Sequence, residues 1–131
     1  MGAEQNRERA ERPEDLGRLF QERVNRADLD GLVALYEPEA LLDFPPGSVA
    51  EGIAAIRQVF EQALAGRPRI ELAPVRTLRA GELALSTSSW TMTVAGPEGT
   101  TTMTGVSAEV ARQQPDGAWR YVIDEPGVTG G

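Results

Sequence analysis

Apolar residues recur at helical spacing three times in the first half of the chain. Leu16, Leu19, Phe20, Val24 and Ala27 fall on one face, and Pro13, Glu14 and Asp15 just before them suit a positive helix start. Leu29, Leu32, Val33 and Tyr36 follow at i, i+3, i+4 and i+7, with Asp28 placed as an N-cap and Pro38 just past the end. Ile53, Ile56, Val59, Phe60, Ala63 and Leu64 line a third helix, which Gly66 and Pro68 terminate. Between the second and third helices, Leu41 to Phe44 reads as a short strand stopped by Pro45, Pro46 and Gly47, because proline offers no ladder donor.

Beyond Pro68 the period changes. Segments at about 69–78, 82–95, 100–112 and 118–124 are rich in β-branched residues and are separated by the turn signals RAGE, GPEG and QPDG. Short turns between consecutive strands imply antiparallel pairing. The order predicts an α+β fold in which a cone-shaped, curved antiparallel sheet wraps around three N-terminal helices. Residues 1–12 lack apolar periodicity and read as a mobile arm, 13–127 as one domain, and 128–131 as a flexible tail.

In the segment 82–95, Trp90, Met92 and Val94 share one parity while Leu83 and Leu85 have the other. A bulge near Ser86–Ser88 would reconcile the two sets and bend the strand. The alternative is that both faces are covered, one by helices and one by a partner subunit.

Composition then narrows the chemistry. A length of 131 residues suits one domain, and a net charge of −7 disfavours nucleic acid as a partner. The chain has no cysteine and no histidine, and all thirteen cations are arginine. Disulfides, thiolate nucleophiles and Schiff-base lysines are therefore excluded, and the commonest metal ligand is missing, so no metal or cofactor is expected. Acid–base work would fall to carboxylates and tyrosines. No run of about 18 apolar residues is present, and the first fifteen residues lack the apolar stretch of a secretory leader. The expectation is a cytoplasmic protein that does not contact membrane.

The stretches NRADLDGLVALYEPEALLDFPPGS, EGIAAIRQVFEQAL and DGAWRYVIDEPG resemble the nuclear transport factor 2-like superfamily, especially its SnoaL-like and ketosteroid-isomerase-like members. The similarity runs from Leu16 to Gly127. It implies a bent sheet wrapped around helices, an apolar pocket inside, and a homodimer formed through the sheet. Members include isomerases, dehydratases, polyketide cyclases and proteins without catalysis, so the fold alone does not settle the function.

The isomerases in that superfamily use an Asp base on the first strand, a Tyr on the first helix and a protonated acid on a late strand. Ungapped alignment of DLDGLVALYEPEALLDFPPGS puts Phe44 at the base position with Asp43 one residue earlier; by the same resemblance the tyrosine position falls on Phe20 and the late acid on Glu109. Adjacent strand residues point to opposite faces, so Asp43 would need a register shift to serve. Classical ketosteroid isomerase activity is not expected, and the histidine required by the scytalone dehydratase pattern is absent.

Asp43 and Glu109 are thus the candidate catalytic carboxylates. The competing reading makes Asp43 an outward, solvated residue and Glu109 a surface one, since Val106, Ala108 and Val110 make the opposite face of that strand the more apolar. Phe20, Tyr36, Phe44, Phe60, Trp90, Met92, Met103, Ser107 and Tyr121 are candidates for the walls of a ligand pocket, and each could equally be core. Asp124, ending the strand RYVID, reads as a carboxylate that secures the chain end by hydrogen bonding, the other reading being that it reaches a ligand. The functional expectation is a pocket for a small hydrophobic molecule, polyketide- or isoprenoid-like. The protein would act as a metal-free cyclase or isomerase or as a non-catalytic binding or dimeric assembly module.

Overall fold

The computed structural model describes residues 7–130. Three helices precede most of the sheet: α1 (Asp15–Asn25), α2 (Leu29–Val33) and α3 (Ile53–Ala65). The Asp28 carboxylate accepts a hydrogen bond from the Gly31 amide at 3.0 Å, the expected cap of α2. That helix is shorter than its apolar spacing suggests. Tyr36 already belongs to β1 (Tyr36–Asp43), because the Leu35 carbonyl accepts from the Tyr121 amide at 2.7 Å and ladder pairing replaces the next helical turn.

The remaining strands are β2 (Val49–Glu51), β3 (Arg69–Ala80), β4 (Leu83–Gly96), β5 (Gly99–Gln113), β6 (Trp119–Glu125) and β7 (Val128–Gly130). They form one curved, unclosed sheet in the order β2-β1-β6-β5-β4-β3, with β7 pairing on β5. The four-strand meander from β3 to β6 is antiparallel, as expected. The sheet as a whole is mixed rather than purely antiparallel, because β1 runs parallel to β6.

Two of the sheet's register shifts, in β3 and β6, bear on which side chains of the long strands face the helices. One lies in β3 at Val75, where the pairing passes from Pro74↔Ser88 to Arg76↔Thr87. The bulge expected in β4 near Ser86–Ser88 is therefore across the ladder, on its neighbour, and β4 keeps one parity throughout. Ala84, Ser88 and Trp90 face inward, while Leu83 and Leu85 face outward at 44% and 43% exposure. The second bulge lies in β6 at Val122, between the pairs Ala111↔Tyr121 and Val110↔Ile123. It reverses parity within the strand, so Tyr121 and Asp124 both point inward.

The helices pack in the concavity, α1 against β3 and α3 against β1 and β2. Leu16, Leu19, Leu32, Tyr36, Leu42, Ile56 and Trp119 are almost fully buried there. Both expected loose ends are tied down where they are described. Ala10 is buried and its carbonyl accepts from the Trp119 amide, whereas residues 1–6 of the proposed arm lie outside the described residues. The expected flexible tail contains β7, and the Gly127 carbonyl accepts from the Val106 amide at 3.0 Å. No helix among the described residues is long and apolar enough to cross a membrane.

Candidate active site

Between the helices and the inner face of the sheet lies a cavity of about 90 Å³. Phe20 from α1, Phe60 and Leu64 from α3, and Leu42 at the end of β1 form one side; Phe44 follows in the adjoining loop. The sheet supplies Ile70, Leu72, Trp90, Met92 and Tyr121, so most of the wall is apolar. Phe20 meets Phe60 edge-on at 6.0 Å, and Tyr36 lies 5.7 Å from Phe60 and 5.2 Å from Tyr121. Aromatic pairs in this range pack favourably and hold one another's orientation.

Trp90 keeps its place through its neighbours on either side. Its indole N–H donates to the Pro126 carbonyl at 2.8 Å, and its ring lies over Gly105, where a Cβ would come within 2.5 Å of the ring. Glycine is required there for the close approach.

At one end the lining turns polar, with Ser88, Ser107, Glu109 and Asp124. Glu109 on β5 and Asp124 on β6 are direct cross-strand partners, so two carboxyl groups share one patch of the inner face. Burial pushes Glu109 up from 4.5 to about 8, with the Asp124 charge adding to the rise. A hydrogen bond with the Ser107 side chain opposes this rise.

Asp124 is also raised by burial, from 3.8 to about 6, against the pull of a 2.5 Å hydrogen bond donated by the Tyr36 hydroxyl. Burial, with the nearby carboxylates, also raises the pKa values of Tyr36 and Tyr121 well above the ordinary tyrosine range, so both stay protonated at neutral pH. Between about pH 6 and 8 the two carboxyl groups hold one proton between them.

The structure brings most of the expected residues together. Phe20, Phe44, Phe60, Trp90, Met92, Ser107, Glu109 and Tyr121 line the cavity. Tyr36 stands behind the lining and reaches it through Asp124. Met103 packs against the core without lining the cavity. Asp43 is outside it too: Leu42 and Phe44 face in, and no register shift intervenes in the pairing of β1 with β2. The Asp43 carboxyl group instead meets the side chain of Glu125, whose pKa it raises.

Asp124 is the residue that alternation missed. Simple period two gives Asp124 and Tyr121 opposite faces, and only the Val122 bulge aligns them. Among the described residues, no cluster of three His, Cys, Asp or Glu side chains is arranged to hold a metal ion.

Residues 17–122 match the model of the SnoaL-like domain, which covers most of the chain. The chain belongs to the SnoaL-like domain family. No curated protein sequence matches it. Among solved structures, this SnoaL-like protein is similar to a Mycobacterium tuberculosis protein of unknown function, at 21% identity and a TM-score of 0.77, covering 90% of this chain and 69% of that one. It is also similar to a ketosteroid isomerase-like protein from Erwinia carotovora, at 16% identity and a TM-score of 0.76, with 85% and 88% of the two chains covered. A third structure, an NTF2-like protein with a cystatin-like fold from Novosphingobium aromaticivorans, shares 19% identity at a TM-score of 0.73 over 85% and 75% of the chains. Likeness at these identities places the SnoaL-like protein in the NTF2-like fold and leaves its chemistry to its own residues.

Proposed function

We propose that this protein binds a small apolar carbonyl compound, about the size of a single ring, in the cavity and shifts a proton on it without a cofactor, as an isomerase or cyclase does. The observation that carries this reading is the pair Glu109 and Asp124, two carboxyl groups side by side at the polar end of an otherwise apolar cavity. Near neutral pH the pair supplies one acid and one base. The Glu109 carboxylic acid donates a hydrogen bond to a ligand carbonyl oxygen, and the Asp124 carboxylate takes a proton from the adjacent carbon. Return of that proton to another carbon moves the double bond; attack by the carbanion on a second carbonyl closes a ring. Tyr36 holds Asp124 in place.

The arrangement differs from the steroid isomerase pattern at both of the other positions. Phe20 has no hydroxyl to offer an oxyanion, and Phe44 replaces the base. The proton-handling groups proposed here are therefore Glu109 and Asp124, with Asp43 outside the chemistry. Exchange of α-hydrogens for deuterium in small cyclic ketones, followed by NMR, tests this. The full-length protein should catalyse exchange with a bell-shaped dependence centred between about pH 6 and 8. Glu109→Gln and Asp124→Asn should each reduce it at least about tenfold, while Asp43→Asn leaves it unchanged. Binding without exchange by the unaltered protein would favour a non-catalytic ligand-binding module.

A second reading concerns assembly. Leu83, Leu85, Val106 and Ile123 are all exposed on the outer face of the sheet, and this supports a homodimer formed through that face.

A further inference from the structure

The aromatic lining and the carboxyl pair also suit a ligand that carries a positive charge. Resting on the reading of the cavity as the ligand site, we propose that it also takes an apolar amine, in competition with the carbonyl ligand, bound as its ammonium ion between Glu109 and Asp124 with its hydrocarbon part among the aromatic side chains.

Phe20, Phe44, Phe60, Trp90 and Tyr121 all line the cavity, so an entering cation meets several aromatic side chains. A ring whose face is turned to the charge attracts it through its quadrupole where the charge is desolvated. Among the described residues, no arginine lines the cavity, although the chain has thirteen. The carboxyl pair therefore lacks the cationic partner that buried carboxylates ordinarily have, and Glu109 is about nine-tenths buried with its side chain in the lining. The other titratable groups near the pair are Tyr36 and Tyr121, both protonated, and Glu125, which adds negative charge next to Asp124. All the local charge thus favours a cation and disfavours an anion.

A bound ammonium ion stabilises the carboxylate form of Glu109 and drives off the proton the pair holds near neutral pH. Amine binding should therefore release up to one proton and strengthen as pH rises from about 6 to 8. A neutral ligand of the same shape does neither.

Calorimetric titration of the full-length protein with benzylamine, benzyl alcohol and benzoate, three ligands with the same ring and different charge, tests the proposal. Benzylamine should bind about tenfold more tightly than benzyl alcohol at pH 7, and benzoate should bind least. Repeating the benzylamine titration in two buffers of different ionisation enthalpy should show proton release. Glu109→Gln, checked for folding by its melting curve, should abolish that release and bring benzylamine to within about threefold of benzyl alcohol.

Binding of benzyl alcohol as tightly as benzylamine, or benzylamine binding with no proton release, overturns the amine proposal and leaves the cavity as an apolar ligand site. Failure of all three ligands to bind at millimolar concentration overturns both. Trp90→Ala supplies a check independent of the carboxylates: it should weaken benzylamine more than benzyl alcohol, and equal weakening counts against the aromatic contribution.

Discussion

Along β5 the inward positions Ser107 and Glu109 are polar, while the outward positions Val106, Ala108 and Val110 are apolar, Val106 being 56% exposed. Over this stretch the strand carries polar side chains toward the interior and aliphatic ones toward the outer face, the reverse of what burial energetics alone would select. The inner face can hold Glu109 because the acid can stay protonated and the Ser107 side chain gives it a hydrogen-bonding partner. The outer face can hold Val106 without penalty to the monomer, since an exposed valine merely forgoes burial. A carboxyl group kept where it costs stability, and a valine kept where it gains little, both point beyond folding. On the proposals above, the first serves a ligand and the second a partner.

Removing the inner charge should have the largest effect. Glu109 binds its proton more tightly when folded, so its burial costs little below about pH 4.5 and the cost grows as pH rises, levelling off above about 8. The full rise corresponds to on the order of 5 kcal/mol. Glu109→Gln should therefore match the parent in urea unfolding at pH 4 and exceed it in stability by several kcal/mol at pH 9. Equal stability at both pH values would mean that the carboxyl group is solvated.

A smaller effect is expected one layer deeper. Tyr36→Phe removes the hydroxyl that steadies the Asp124 carboxylate and should cost about 1.5–3 kcal/mol at pH 8. The hydroxyl lowers the pKa of Asp124, so the loss should shrink as pH falls through about 6 and the carboxyl group takes up its proton. A loss independent of pH would reduce Tyr36 to a packing residue.

The outer face should respond least in stability and most in assembly. Replacing Leu85 and Val106 with serine should change the stability of the monomer by no more than about 0.5 kcal/mol per site. In sedimentation velocity the unaltered protein should run as a dimer at micromolar concentration and the double variant as a monomer. Two identical profiles would remove the sheet face from any dimer contact.

The same contrast explains what could be read in advance. Helix periodicity, the Asp28 cap and the turn signals located all three helices and the four long strands, because those features are local. Phe20, Phe60 and Trp90 could be assigned to the pocket wall because a cone's interior is both core and cavity. Glu109 was legible through its resemblance to a late-strand acid, against the local pattern of its own strand. Asp124 was not assigned to the pocket, because its inward position depends on a one-residue bulge at Val122 that period two does not register. Tyr36 was placed on a helix because its spacing is helical, and only pairing with Tyr121, far along the chain, makes it a strand residue.

That pairing also sets an order of assembly. β3, β4 and β5 are neighbours in sequence and can pair through short turns, whereas the Tyr36–Asp124 contact joins positions 88 residues apart. The entropy of closing so long a loop favours making this contact late on the way to the native state. The polar end of the cavity should then be among the last parts to take shape. A tight occupant should consequently slow unfolding while leaving the rate of folding almost unchanged.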